Sequence, residues 1–232
     1  MNAAIRLYLF AIVYMLDIMV LPSDIVFVSS HYPLNTYFSI KTRATFKKYT
    51  KMHGYHFYYD TDDVEPSETQ PKNLHYRRCV NILKASLLYP NAKWFVWVDS
   101  DVYVNNYSAK VEKLLDLDDE NILYHLFHER GGWGQFPINT GVKFVNRNAL
   151  IWEELVWSMR NTHPWTFYPY EQKTIYEYVL PKIGEDKYII HDPYLLNCII
   201  RAYPDRVNDC VFAHMCASSE DERNRIMRNV YI

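Results

Sequence analysis

The chain has 232 residues, 49% of them apolar, and a formal net charge of −2. That length and apolar fraction suffice for one substantial core, and no repeat, low-complexity run or Pro/Gly-rich linker divides it. A pI near 6.5 argues against a nucleic-acid partner, and the basic residues between Lys41 and Lys51 are interleaved with Thr and aromatics as on a solvated helix face.

Residues 7–16 form an apolar stretch preceded by Arg6 and followed by Asp17. With residues 18–21 they resemble a signal-peptide core or a weak anchor, short and charged for a membrane span. Two readings stay open: a membrane signal, or an N-terminal helix or dispensable extension. Residues 1–22 are therefore set apart from a single domain over 23–232. Membrane association, if it occurs, would run through that first segment. The location of the protein follows it: cytoplasmic or membrane-associated, or a Golgi-type lumen if the segment is an anchor.

Residues 24–29 are a short apolar run ending in small polar residues, which predicts a strand; residues 35–52 have helical length and period before Gly54, a stop signal. Residues 55–59 predict a second strand and the acidic, proline-marked segment 60–71 a loop. A helix is expected over 74–88, up to Tyr89-Pro90, and a third strand over 94–98. Strand, helix, strand, helix, strand implies right-handed crossovers and a largely parallel sheet with ligands at the carboxyl ends of its strands. Ser29, Ser30, Asp60 and Asp99 to Asp101 fall at those ends. Further along, 111–117 reads as a helix, 122–127 as a strand, and 128–134 as a glycine-rich loop carrying Trp133. Residues 137–148 combine a polar turn, a strand and a helix start, and 150–159 is that helix.

The acidic tip after residues 94–98 carries the chemistry. If the chain stays extended, Asp99 and Asp101 point the same way and offer hard oxygen ligands to Mg2+ or Mn2+, which could neutralise a diphosphate. The 21 tyrosines present flat amphipathic faces that suit sugar rings, although core packing explains most of them. Cys79, Cys198, Cys210 and Cys216 show no CxxC pair, so buried free thiols and a reducing compartment are expected. His214 lies near two of them but lacks a fourth ligand at zinc spacing.

An apolar strand with two tryptophans ending in Asp99-Ser100-Asp101, then Asn139-Thr140-Gly141 before a strand and Arg147-Asn148, then Glu171-Gln172 opening a helix, then His214 after an apolar run, resembles the GT-A glycosyltransferases. Within them it is most similar to the galactosyl-, mannosyl- and xylosyltransferase family 34, over roughly residues 24–216. The resemblance implies an α/β fold of GT-A type, Rossmann-like, with a mostly parallel central sheet flanked by helices. It also implies a metal-dependent, retaining transfer of a hexose or pentose from a UDP- or GDP-linked sugar to a glycan or glycoprotein acceptor.

Carried over residue by residue, Asp99 and Asp101 match the acidic motif that contacts a divalent cation, Mn2+ or Mg2+, and the nucleotide sugar, and His214 matches a third metal ligand. Ser29 and Ser30, with Asp60, stand where such folds hold the nucleotide, with Ser100 inside the acidic motif. Arg78 stands where family members usually place Lys. Asn139, Thr140 and Gly141 would line the sugar and acceptor pocket, and Glu171 or Gln172 would steady the anomeric carbon without acting as nucleophile. Two other classes share parts of the pattern. A haloacid-dehalogenase-like phosphatase also carries Asp-x-Asp after a buried strand, and a carbohydrate-binding protein on a decayed transferase fold would need only the tyrosine-rich surface.

Overall fold

The structure, a computed structural model, describes residues 19–62, 71–129 and 136–232. The apolar stretch 7–16, most of the acidic loop after Asp60 and the glycine-rich centre of 128–134 lie outside these residues.

Six strands form the main sheet, in the order β2 (His56–Asp60), β1 (Ile25–Ser30), β3 (Trp94–Val98), β6 (Ile138–Asn146), β5 (Tyr124–His128), β7 (Tyr188–His191). The β1/β2, β1/β3 and β5/β7 pairings are parallel and β6 runs antiparallel to both neighbours, so five strands point one way. The reversed β6 follows from its short connection to β5, which permits only a hairpin-like return.

Residues of β1 and β3 alternate between two cores. Ile25, Phe27, Trp94 and Val96 face one side with Phe46 and Tyr49 of α1 (Tyr37–His53). Val26, Val28, Phe95 and Trp97 face the other with Tyr76, Cys79 and Ile82 of α2 (Pro71–Leu88) and Val156 of α3 (Leu150–Ser158). A strand buried on both faces must be apolar throughout, which is why 94–98 reads as an unbroken run. Each such large side chain contributes about 1.5–3 kcal/mol on burial.

Helix α1 stops at Gly54, whose φ of 81° closes the last turn through its N–H to the Thr50 carbonyl at 2.9 Å. A small second sheet orders β4 (Val102–Val104), β9 (Phe212–His214) and β8 (Cys198–Ile199). The polypeptide then ends in α6 (Glu220–Arg228), after α4 (Glu171–Thr174), a π turn and α5 (Leu180–Ile183).

Two expectations are corrected. Residues 111–117 form only one 3-10 turn, Val111–Lys113; beyond it Leu115 and Leu117 are both buried, and the Leu117 carbonyl accepts the Trp94 indole N–H at 2.9 Å instead of closing a helical turn. Cys198 and Cys210 are joined in a disulfide, Cα to Cα 6.1 Å, so the free-thiol reading holds for Cys79 and Cys216 alone. Among the described residues no helix is long and apolar enough to cross a membrane.

Candidate active site

The carboxyl ends of β1, β2 and β3 open into a cleft of about 210 Å³ lined by Ser30, Asp60, Arg78 and Asp99 to Asp101, together with His31, His75 and Arg223. The sequence places the acidic motif correctly but for the wrong local reason. The chain does not stay extended: the Val102 N–H bonds the Asp99 carbonyl at 3.0 Å, folding 99–102 into a turn. Asp99 thus caps the main sheet while Asp101 opens the small one. Antiparallel pairing sets Val102 opposite His214, which brings the imidazole to Asp101.

Ligand atoms of Asp99, Asp101 and His214 all lie within 4.8 Å of one another. His214 Nε2 is 3.3 Å from Asp101 Oδ1, and its Nδ1 is 2.9 Å from Asn197 Oδ1. Asn197 in turn donates its amide to Asn139 Oδ1 at 2.9 Å. That order assigns the imidazole proton to Nδ1 and leaves a lone pair on Nε2 facing a carboxylate oxygen. Two lone pairs at that distance repel unless a proton or a cation lies between them. An oxygen, oxygen, nitrogen set with the far imidazole nitrogen fixed by a buried amide fits Mn2+ or Mg2+.

Gly141 makes room for this arrangement. Its carbonyl accepts the Asp99 N–H at 2.7 Å, and a Cβ on it would stand 2.2 Å from His214 Cε1. Only hydrogen fits there.

Arg78 is buried and spans two acids, with Nη2 on Asp99 Oδ2 at 2.8 Å and Nη1 on Glu171 Oε2 at 3.1 Å; it also donates to the Thr140 hydroxyl. Burial works against its charge, but Asp99 and Glu171 more than offset that and raise its pKa. Burial raises the Asp99 carboxyl, with Arg78 opposing it. Burial acts likewise on Asp101, yet His214, when its imidazole is protonated, and Arg223 outweigh it and hold that carboxyl below the usual range.

The remaining sequence candidates divide by depth. Ser30 accepts from the Asn81 amide at 2.9 Å, Ser100 Oγ pairs with His31 Nδ1 at 2.8 Å, and Asp60 accepts from Arg77 at 2.8 Å; all three line the cleft. Ser29 lies buried just behind. Asn139, Thr140, Glu171 and Gln172 are buried beneath the cleft, outside its lining. Gln172 bridges the Thr140 N–H (3.0 Å) and Glu129 (3.0 Å). Glu171 has both oxygens engaged, one by Lys143 at 2.7 Å and the other by Arg78 and the Thr140 hydroxyl. Burial opposes the Glu171 charge, and Lys143 and Arg78 overcome it to lower its pKa. The sequence reading missed Arg223, Asn197, His75 and the Lys143–Glu153 pair. Only His31, adjoining the strand-end serines, carried a local signal.

A model of the galactosyl transferase GMA12/MNN10 family matches residues 25–156. The chain belongs to that family. Its strand-end cleft and acidic turn are thus parts of a glycosyltransferase fold. A solved glycosyltransferase involved in the glycosylation of the major capsid of PBCV-1 is 50% identical, with a TM-score of 0.83 over 89% of this chain and 99% of that one. The uncharacterized alpha-1,2-galactosyltransferase C637.06 of Schizosaccharomyces pombe is 30% identical over 69 residues, 30% of this chain; the match spans a fifth of that relative's length, 20%. Membership in a galactosyl transferase family leaves the dehalogenase-like phosphatase reading without support. Both Asp99 oxygens are moreover engaged, by Arg78 and by the Trp97 indole N–H at 2.7 Å, which does not suit a nucleophile.

Proposed function

We propose that this chain transfers a hexose or pentose from a UDP- or GDP-linked sugar to a glycan or glycoprotein acceptor, with Mn2+ or Mg2+ held by Asp99, Asp101 and His214. The single observation that carries the reading is the convergence of those three ligand atoms within 4.8 Å, beside Arg78, at the carboxyl ends of the parallel strands. The bound cation supplies neutralisation of the diphosphate as it departs.

Arg78 stays protonated and presents fixed positive charge at the cleft floor, where the leaving group develops charge. Glu171 is a positioning residue: it holds Arg78 against Asp99. Ser30 and Asp60 stand at the strand ends where a nucleoside would lie. Retention without a covalent intermediate suits the same geometry. Among the described residues, the cleft carboxylates other than the ligands are Asp60, paired with Arg77 and Lys84, and Asp62, paired with Lys84. The names of the two relatives favour a hexose donor and a protein-linked acceptor.

A thermal-shift panel of UDP, GDP and their sugars with and without Mn2+ tests the reading, because a ligand that binds only the folded state raises the midpoint. A Mn2+-dependent shift that disappears in Asp101→Ala supports it. No shift with any nucleotide returns weight to a non-catalytic carbohydrate-binding protein.

A further inference from the structure

The C-terminal helix α6 sends Arg223 into the cleft wall. One Nη2 donates to Asp101 Oδ2 at 2.8 Å, and its guanidinium lies 5.3 Å from the Phe38 ring centre. The helix is pinned to α1 by the Phe38 N–H on Asn224 Oδ1 at 3.1 Å. Among the described residues its Nε has no hydrogen-bond partner. Arg223 and Arg78 therefore grip the acidic turn from opposite elements, one on Asp101 and one on Asp99.

We propose that Arg223 is a diphosphate-contacting residue, parked on Asp101 by the C-terminal helix and turned to the phosphate oxygens of the departing nucleotide. This rests on the glycosyltransferase reading above. The charges argue for it. Glu153, Glu171, Asp99 and Asp101 face Lys143, Arg78 and Arg223, so the cluster is one cation short. Once a divalent cation meets the carboxylates, the balance turns positive and Asp101 no longer needs the guanidinium. The nearest large anion is then the diphosphate in the same cleft. A guanidinium, with five donors in a planar fork, matches phosphate oxygens with the N–H groups that Asp101 leaves unused.

The test is titration calorimetry of Mn2+ alone, then of UDP, GDP, uridine and guanosine in saturating Mn2+, on wild type, Arg223→Gln, Arg223→Lys and Asn224→Ala. The expected result for Arg223→Gln is roughly tenfold weaker binding of the diphosphate that wild type prefers. Nucleoside binding should be unchanged and Mn2+ affinity altered less than threefold, with partial recovery in Arg223→Lys. Equal diphosphate affinity in Arg223→Gln overturns the proposal. So does a parallel fall in Mn2+ affinity, which would mean that Arg223 only aims Asp101. The same effect in Asn224→Ala also overturns it, since helix docking rather than the guanidinium would be the cause. If wild type binds neither UDP nor GDP with Mn2+, the glycosyltransferase reading fails first and this inference with it.

Discussion

The Lys143 ammonium and the Glu171 carboxylate lie 2.7 Å apart with no solvent-accessible side-chain surface on either. Lys143 also holds Glu153 at 2.9 Å, and Glu171 passes the contact to Arg78 and so to Asp99. Charges alternate in sign from the core between α3 and β6 to the tip of β3. Burial opposes the Lys143 charge, but Cys79, Glu153 and Glu171 outweigh it and raise its pKa.

Removing the central cation strands Glu153 in the interior and leaves Glu171 only Arg78 and the Thr140 hydroxyl. Lys143→Met is expected to destabilise the fold by about 3–5 kcal/mol, the range for breaking a buried ion pair. Urea denaturation reads it directly. An unchanged midpoint would show that Glu153 becomes neutral at no cost, contrary to this account.

A methyl group at position 141 collides with the imidazole of His214 rather than with a flexible chain end. Gly141→Ala should therefore fold but lose at least tenfold in Mn2+-dependent nucleotide binding, about 1.4 kcal/mol. Calorimetry with Mn2+ and UDP or GDP decides it, and wild-type affinity would place His214 outside the cation site.

Arg78 reaches Asp99 and Glu171 at once because its guanidinium is a fork. An ammonium keeps the charge but cannot span both partners. Arg78→Lys is expected to weaken nucleoside diphosphate binding about tenfold, again about 1.4 kcal/mol, while leaving nucleoside binding alone. Equal losses for both ligands would point to a distorted cleft instead of a lost phosphate contact.

Three imidazoles fix the direction of the acid response. Burial lowers His31 and His75 to about 4 and His125 to about 3. In the unfolded chain they titrate near 6.5, so below that pH the unfolded state binds more protons than the folded one. Their stabilising contribution is complete above pH 6.5 and is lost as the pH falls toward 4. These three rings together take up roughly three protons on unfolding near pH 5, and His191, lowered in the same direction by burial, adds to that uptake. Denaturation midpoints at pH 7 and pH 5 measure it, and a flat profile would contradict the burial of these rings.

The sequence made legible what local pattern encodes. The run 94–98 announced an apolar strand, Gly54 a helix end, and Asp99 and Asp101 an acidic tip. What escaped was long-range. Arg223 sits in a charged stretch, Glu220–Arg228, that reads as solvated helix. Asn197 lies in a turn, 58 residues from the Asn139 side chain that it supports. Lys143 alternates with apolar residues on β6, yet all nine residues of that strand are buried, so its inward charge has no signature along the chain. Such residues are recognisable only from the partners that folding brings to them.

The two carboxylates of the acidic turn adjoin different sheets, Asp99 following β3 and Asp101 preceding β4, and the histidine lies in the smaller one. What registers one sheet against the other is an aromatic seam in which Phe212, two residues before His214, meets Phe27 at 5.9 Å and Phe46 at 5.3 Å. The spacing of Asp99, Asp101 and His214 is therefore a gauge of that seam. Trimming a ring there, outside the lining of the cleft, would let the sheets slide and pull the acidic turn away from the imidazole, so an inactive variant of this protein need not carry its lesion in the cleft.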